Sequence, residues 1–399
     1  MGRDMPAVVA RKRPPPVMTG RHHRHRRPRG RGPARLAVAG AVVLAMLAVA
    51  ATLLVTLRPS PPAGPGRAAI ASLPYWSFGD GTGVVLAHRA AFTEASPWIY
   101  GLTAASQVNL QYGPGQAAAV NADIGRLRDA GLRIVPTIAN ITNGSWAYAP
   151  VARILHDPAL MQRHISALAA LAVRNGYAGI DIDYEDLHAG DRQAFTTFVT
   201  RLAAALHARG KILSVAVFAK TTDAGYAPRN VAQDYAAIGR AADQVRVMAY
   251  DYHWASSGAG PVAPVSWVRG VLRYAKSQLP AKKIILGIPL YGYDWTGHRG
   301  AVLTQQQALR LAAQHQAAVR FDRASQSPWF TYTAAGGTRH QVWFENPAST
   351  RAKLALARAA GVGGVFCWMY GDEAPGTWPE LSRGMPAGGQ AAPSQGGTP

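Results

Sequence analysis

Eight short apolar runs, rich in β-branched and aromatic residues and separated by stretches of helical periodicity, constrain this chain more than any other feature. They are IASLPYW (Ile70 to Trp76), PWIYGL (Pro97 to Leu102), LRIVPTIA (Leu132 to Ala139), AGIDIDYE (Ala178 to Glu185), KILSVAVFA (Lys211 to Ala219), QVRVMAYD (Gln244 to Asp251), KIILGIPL (Lys283 to Leu290) and GGVFCWM (Gly363 to Met369). Most begin one βα unit after the run before, and helical patterns such as Ala159 to Arg174, Ala194 to Arg209 and Ser266 to Gln278 occupy the gaps. Strands that alternate with helices pair in parallel, because only a long crossover returns the chain to the same edge. The seventh gap is much longer. Within it, Tyr293 to Glu345 holds a helical stretch (Gln305 to Gln314) and two aromatic strand-like pieces, PWFTYTA and HQVWFE, which predicts a small α+β insertion after strand seven. Eight such units predict an α/β fold, a (β/α)8 TIM barrel. An open doubly wound sheet would show a Gly-rich phosphate loop after its first strand, and none follows Trp76.

The fourth run carries chemistry. In GIDIDYED, from Gly179 to Asp186, the acids Asp181, Asp183 and Glu185 alternate with Ile180, Ile182 and Tyr184. On a strand all three carboxylates then face one way and the apolar side chains the other. In a barrel the acids would line the interior toward the C-terminal mouth, where barrel enzymes keep their active sites. Burying ionised carboxylates without partners is severely unfavourable, so such a row is expected to share a proton, with at least one member's pKa raised. Two other readings fit the same pattern: an edge strand with a solvated acidic face, and a divalent-metal site. No sequence-local histidine or calcium-loop spacing supports the metal, so neither a metal nor a cofactor is predicted.

The flanks differ from this core. A net charge of +21 over 399 residues reads as a nucleic-acid signature until it is placed along the chain. Eleven basic residues up to Arg35 stand against Asp4 alone, so residues 1–35 are expected to form a disordered basic leader. Residues 36–57 follow without a charge, and at about 1.5 Å per residue they reach about 33 Å, enough for a hydrocarbon core of about 30 Å. This predicts one transmembrane signal anchor, leader cytoplasmic and everything after Arg58 extracytoplasmic. The alternative is secretion after signal cleavage, although cleavable signals have shorter apolar stretches. Residues 58–67, with PSPPAGPG, read as a linker, 68–383 as the barrel with its insertion at about 293–345, and 384–399 as a disordered tail. With 48% hydrophobic and 16% charged residues the chain is neither wholly disordered nor a polytopic transporter, and a lone cysteine, Cys367, excludes an intramolecular disulfide framework and Cys-based metal sites.

The acidic segment resembles glycoside hydrolase family 18, the chitinase-like barrels whose fourth strand carries D-G-x-D-x-D-x-E. The match reads Ala178-Gly179-Ile180-Asp181-Ile182-Asp183-Tyr184-Glu185, with Ala178 in place of the family's first aspartate. MAYDYHW (Met248 to Trp254) is similar to the family's Met-x-Tyr-Asp element. GIPLYGYDW (Gly287 to Trp295) is similar to the segment before its insertion, and Trp368 in VFCWMYGDE to the tryptophan that ends strand eight. The resemblance runs from about Ile70 to about Glu373. It implies hydrolysis of β-1,4 bonds at N-acetylglucosamine residues with retention, the substrate's own N-acetyl oxygen acting as nucleophile. Glu185 would be the acid, Asp183 would bind the acetamido N–H, and Asp181 would hold Asp183 in position and share its proton. Tyr250 would hold the acetamido carbonyl, Trp368 would floor the sugar subsite, Asp251 would orient nearby groups, and Tyr75 would join an aromatic mouth. The Ala178 departure implies an altered pH profile, since the resemblance counts that aspartate within the proton-sharing group.

Two rivals belong to other classes. A non-catalytic, lectin-like barrel of the same family is one, but such relatives typically lack the acid that Glu185 supplies. Nucleic-acid binding rests on charge alone, which the basic leader explains by topology, so no nucleic-acid partner is predicted. The expected partner is an N-acetylglucosamine-containing polysaccharide, chitin-type or peptidoglycan-type. The membrane tether favours a cell-wall role.

Overall fold

The computed structural model describes residues 67–113, 115–224, 226–368 and 373–384. The predicted leader, membrane anchor and tail beyond Gly384 lie outside the described residues. Among the described residues, no helix is long and apolar enough to cross a membrane.

Eight parallel strands close on themselves: β1 (Ala68–Pro74), β2 (Glu94–Leu102), β3 (Thr137–Ala139), β4 (Gly179–Asp183), β5 (Ile212–Phe218), β6 (Gln244–Met248), β7 (Ile284–Pro289) and β8 (Gly364–Trp368). Each pairs with its neighbours in chain order, and β1 pairs with both β2 and β8 to complete the ring. The expected barrel is therefore present, and each of the eight runs contributes to its ring. Its outward strand faces meet amphipathic helices. Pro158–Arg174 starts at Asp157, whose carboxylate accepts the Ala159 and Leu160 amides, and Pro158 suits a first turn that needs no N–H there. It turns Met161, Ile165, Leu168 and Ala172 inward, while Arg192–His207 buries Phe195, Val199, Leu202 and Leu206. Tyr184 packs on Phe198 and bonds His164 Nε2 through its hydroxyl at 2.6 Å, pinning the end of β4 to the helix layer.

Between β7 and β8 lies the expected insertion. A five-stranded antiparallel sheet has the order Arg299–Thr304, Tyr291–Thr296, Arg339–Phe344, Ser327–Thr333, Arg320–Asp322, and the helix Gln305–Gln314 covers it around Phe330, Val342 and Phe344.

The strand ends differ from the sequence expectation. The third run is split into Arg133–Ile134 and β3, because Pro136 has no N–H to donate to a ladder. The first run ends at Pro74 and enters a 3₁₀ turn, Tyr75–Ser77. The fourth and sixth runs leave the ladder at Asp183 and Met248, so Glu185 and Tyr250 stand just past the last paired residues. Asp186 and Asp251, which follow them, both take left-handed φ of 54°, a conformation rare in non-glycine residues, and these turns end the two strands at the mouth. At the other end of the domain, Gly384 belongs to the helix Thr377–Gly384 rather than to the tail.

Candidate active site

Inside the barrel the side chains are stacked in two electrostatic layers. The lower layer is a closed ion network. Arg246 on β6 is 2% exposed and places its guanidinium 2.8 Å from Glu94 Oε1 on β2 and 3.1 Å from Asp181 Oδ2 on β4. It also donates to Ser96 Oγ at 2.6 Å, and Thr137 Oγ1 donates to Asp181 Oδ2 at 2.9 Å. Glu94 takes a second guanidinium, Arg133, at 2.9 Å, and the Gln244 amide at 3.3 Å. Two carboxylates thus face two guanidiniums, as buried charge requires, although burial still raises the Glu94 pKa against both cations.

The upper layer has no such match. Asp183 is buried and accepts one hydrogen bond through Oδ2, from Trp98 Nε1 at 3.0 Å, while Oδ1 has no partner. Burial pushes its pKa up to about 7; the Trp98 N–H opposes, the Asp181 charge adds to the rise, and Arg246 partly offsets it. Glu185, two residues on, is held well above the ordinary glutamate range, first by burial and next by the charge of Asp183, with Arg229 opposing. Arg229 makes its ion pair with Asp186 instead, at 3.4 Å. The main chain of Glu185 is clamped from both sides by Asn140, whose Oδ1 accepts its N–H at 2.8 Å and whose Nδ2 donates to its carbonyl at 2.9 Å.

Both acids open into one cavity of about 400 Å³, which Asp181, Tyr250, Asp251, Tyr75 and Trp368 also line. All seven residues picked from the sequence therefore converge. Tyr250 packs edge-on against Tyr291 and Phe366. A Cβ at Gly287 would stand 2.7 Å from its ring, so glycine on β7 makes the space that Tyr250 fills. Asp251 accepts hydrogen bonds from the hydroxyls of Tyr291 (2.6 Å) and Tyr293 (3.1 Å), the first residues of the insertion, and burial still raises its pKa. Thus the insertion touches the site through its first strand.

The aromatic wall is broader than expected. Trp98 is its hub: Tyr75 stacks on it at 5.9 Å, and Trp76, Trp146 and Trp368 meet it edge-on. Trp76 is 53% exposed and Trp146 is 38% exposed, so two indoles face solvent at the mouth. A row of exposed aromatic faces next to buried acids suits a sugar polymer, whose C–H faces stack while its hydroxyls seek polar partners. Trp98, Trp146, Asn140 and Arg246 were not predicted as site residues. Two of them had a signal: Glu94, Ser96 and Trp98 alternate on β2, and Gln244, Arg246 and Met248 on β6, so polar or charged side chains occupy one face of otherwise apolar strands. Asn140 directly precedes a two-residue hairpin, Ile141–Thr142 paired with Ser145–Trp146, whose second strand holds Trp146, and strands this short carry no such pattern.

One expectation is corrected. Ala178 precedes β4 and stands an odd number of residues from Asp181, so the pleat puts it on the face opposite the acids, and it does not line the cavity. An aspartate there would not join the proton-sharing group. Among the described residues, no group of three or more His, Cys, Asp or Glu could hold a metal ion.

A closed parallel barrel whose fourth strand aims acids into an aromatic cleft at its C-terminal mouth has them where barrel enzymes keep their active sites. The chain belongs to the glycosyl hydrolases family 18, whose profile matches residues 112–373. It is 34% identical over 253 residues to the cortical fragment-lytic enzyme of Bacillus subtilis, a match that covers 61% of this chain and 58% of that protein. Among solved structures it resembles a chitinase from Chromobacterium violaceum (TM-score 0.75, 31% identity, 80% of this chain and 99% of that one). It also resembles the Bacillus cereus spore cortex-lytic enzyme SleL (TM-score 0.73, 26% identity, 82% of this chain and 76% of that one). The chain thus spans about 60% of the length of the first curated relatives it matches.

Proposed function

We propose that this protein is a retaining glycoside hydrolase that cleaves β-1,4 bonds at N-acetylglucosamine residues by substrate-assisted catalysis. The observation that carries this reading is the pair Asp183 and Glu185: two adjacent carboxyls without a cation of their own, Asp183 pushed up to about 7 and Glu185 held well above the ordinary glutamate range by burial, in a cavity walled by tryptophans. A carboxyl whose pKa is raised by burial holds its proton closer to neutral pH, which a general acid needs. Glu185 gives its proton to the glycosidic oxygen as the C–O bond breaks, and the acetamido oxygen attacks the anomeric carbon to form an oxazolinium ion. Asp183 accepts the acetamido N–H and balances the developing positive charge. The Tyr250 hydroxyl holds the acetamido carbonyl near its attack geometry, with Asp251 and the two insertion tyrosines fixing the neighbouring wall. Trp368 floors the sugar ring. Water then opens the oxazolinium and returns the proton to Glu185.

Of the two glycans, peptidoglycan is the one we favour: relatives named for cortical fragments and spore cortex support it, as does the membrane-length run at 36–57, which would tether the domain outside the cell. Glu185→Gln keeps the shape and removes the proton. Turnover of peptidoglycan or of N-acetylglucosamine oligomers, followed by product analysis, is expected in the parent protein and to fall by about 10³-fold or more in the variant, with binding retained; equal turnover in both would overturn the mechanism. For the tether, a C-terminal tag should be accessible to antibody on intact cells, and detection only after permeabilisation would reverse the topology.

A further inference from the structure

The mechanism makes no use of Arg246, although the barrel is built around it. Asp181 and Asp183 each leave one carboxylate oxygen, Oδ1, without a partner, so nothing in their own bonding decides which of them takes up the shared proton. The surroundings decide it. Oδ2 of Asp181 receives two donors at once, the Arg246 guanidinium and the Thr137 hydroxyl, whereas Oδ2 of Asp183 receives a single neutral indole N–H. A proton on Asp181 would leave Arg246 with Glu94 as its one paired anion, and a buried guanidinium stripped of a counter-charge is costly.

Resting on the assignment of Asp183 and Glu185 as the reacting pair, we infer that Arg246 is a positioning residue: by fixing the Asp181 carboxylate from below, it confines the exchangeable proton of the barrel to Asp183 and Glu185. Asp181 then acts as a fixed charge beneath Asp183 rather than as a partner in proton exchange. The charged and titratable groups that face this stack are Glu94 from β2, Arg133 beside it, and Asp186 beyond β4. Tyr250 and Asp251 face it from beyond β6, and Arg229 from the short helix Pro228–Val231 after β5. Glu94 is part of the device, since it divides the charge of Arg246 between two carboxylates.

The inference predicts shifts of opposite sign from two neighbouring residues. Removing the cation in Arg246→Gln favours the neutral form of Asp183, so its titration should move to higher pH by about one unit or more. Removing the anion in Glu94→Gln leaves Arg246 less neutralised, so the same titration should move to lower pH. Arg246→Lys restores the charge without the fork and should return the midpoint toward that of the parent. The measurement is carboxyl ¹³C NMR of aspartate-labelled full-length protein against pH, with the Asp183 signal assigned by its loss in Asp183→Asn.

A purely structural Arg246 predicts lower stability in both variants and an unmoved midpoint, or one displaced in the same direction by each; either result overturns the inference. Should Arg246→Gln fail to fold, Glu94→Gln carries the test. The parent protein alone also bears on it, because a two-step Asp183 curve shared with Asp181 would contradict confinement. Titration requires no turnover, so the two claims fail separately. Shifts of the expected sign in a protein that cleaves no glycan would leave Arg246 in place and remove the hydrolase reading. Cleavage with an unmoved midpoint would do the reverse.

Discussion

Asp181 and Asp183 stand two residues apart on the same face of the same strand, and they experience opposite surroundings. Asp181 belongs to the lower layer, where Arg246 and Arg133 match it and Glu94 charge for charge. Asp183 belongs to the upper layer with Glu185, where the nearest donor is a neutral indole and the nearby guanidinium, Arg229, is committed to Asp186. Residue type, strand and solvent exclusion are shared, so the difference lies in counter-charge. A buried carboxylate with a cation is a structural element. One without a cation retains its proton to near-neutral pH and becomes a reagent.

Beyond the loss expected for Glu185→Gln, the comparison is sharpened most by neutralising the upper layer. Asp183→Asn keeps an acceptor for Trp98 Nε1 but cannot carry negative charge opposite the developing cation, so kcat should fall by about 100-fold. The same variant should be more stable than the parent at alkaline pH. The pKa of Asp183 rises from an ordinary 3.8 to about 7 on folding, so the folded state binds the proton more tightly than the unfolded chain. That contribution is fully present below about pH 4 and is lost as pH rises through 7, whereas asparagine never ionises. Thermal unfolding should therefore show a gain of about 2 kcal/mol or more at pH 8 and almost none at pH 4. A constant gain, or a loss that grows with pH, would place Asp183 in the same regime as Asp181.

The smallest effect is expected outside both layers. Ala178→Asp restores the aspartate of the family motif, yet its side chain belongs to the face turned away from the cavity. The pH–rate profile should be superimposable on that of the parent; a displaced limb would mean that charge on the far face of β4 reaches the acids.

The barrel itself was legible because burial on both faces of a parallel strand leaves dense β-branched runs, and each run found its place in the ring. Asp181, Asp183 and Glu185 were legible because their alternation breaks that rule on one face only. The strand ends were not: β4 and β6 stop at Asp183 and Met248 ahead of left-handed turns at Asp186 and Asp251, residues that do not announce such a backbone as a glycine would. The alternation on β2 and β6 marks Trp98 and Arg246 as interior, but their partners were hidden. Arg246 meets Glu94 across 152 positions of sequence and Trp98 meets Asp183 across 85, contacts that exist only after the ring closes. Asn140 clamps Glu185 from just ahead of the hairpin, whose strands are too short to carry a periodic pattern. The reading that Asp181 shares the proton treats three acids in a row as equivalent; the row itself does not show the Arg246–Asp181 contact from which a confined proton is inferred.

The central claim is that Asp183 and Glu185 act on a substrate that supplies its own nucleophile. It is tested most directly by ¹H NMR of the first product released from whichever glycan the protein cleaves, observed before mutarotation. The account predicts the β-anomer, formed when water opens an oxazolinium on the face that the leaving group occupied. An α-anomer appearing first would mean that water attacks the glycosidic carbon directly, and would contradict it.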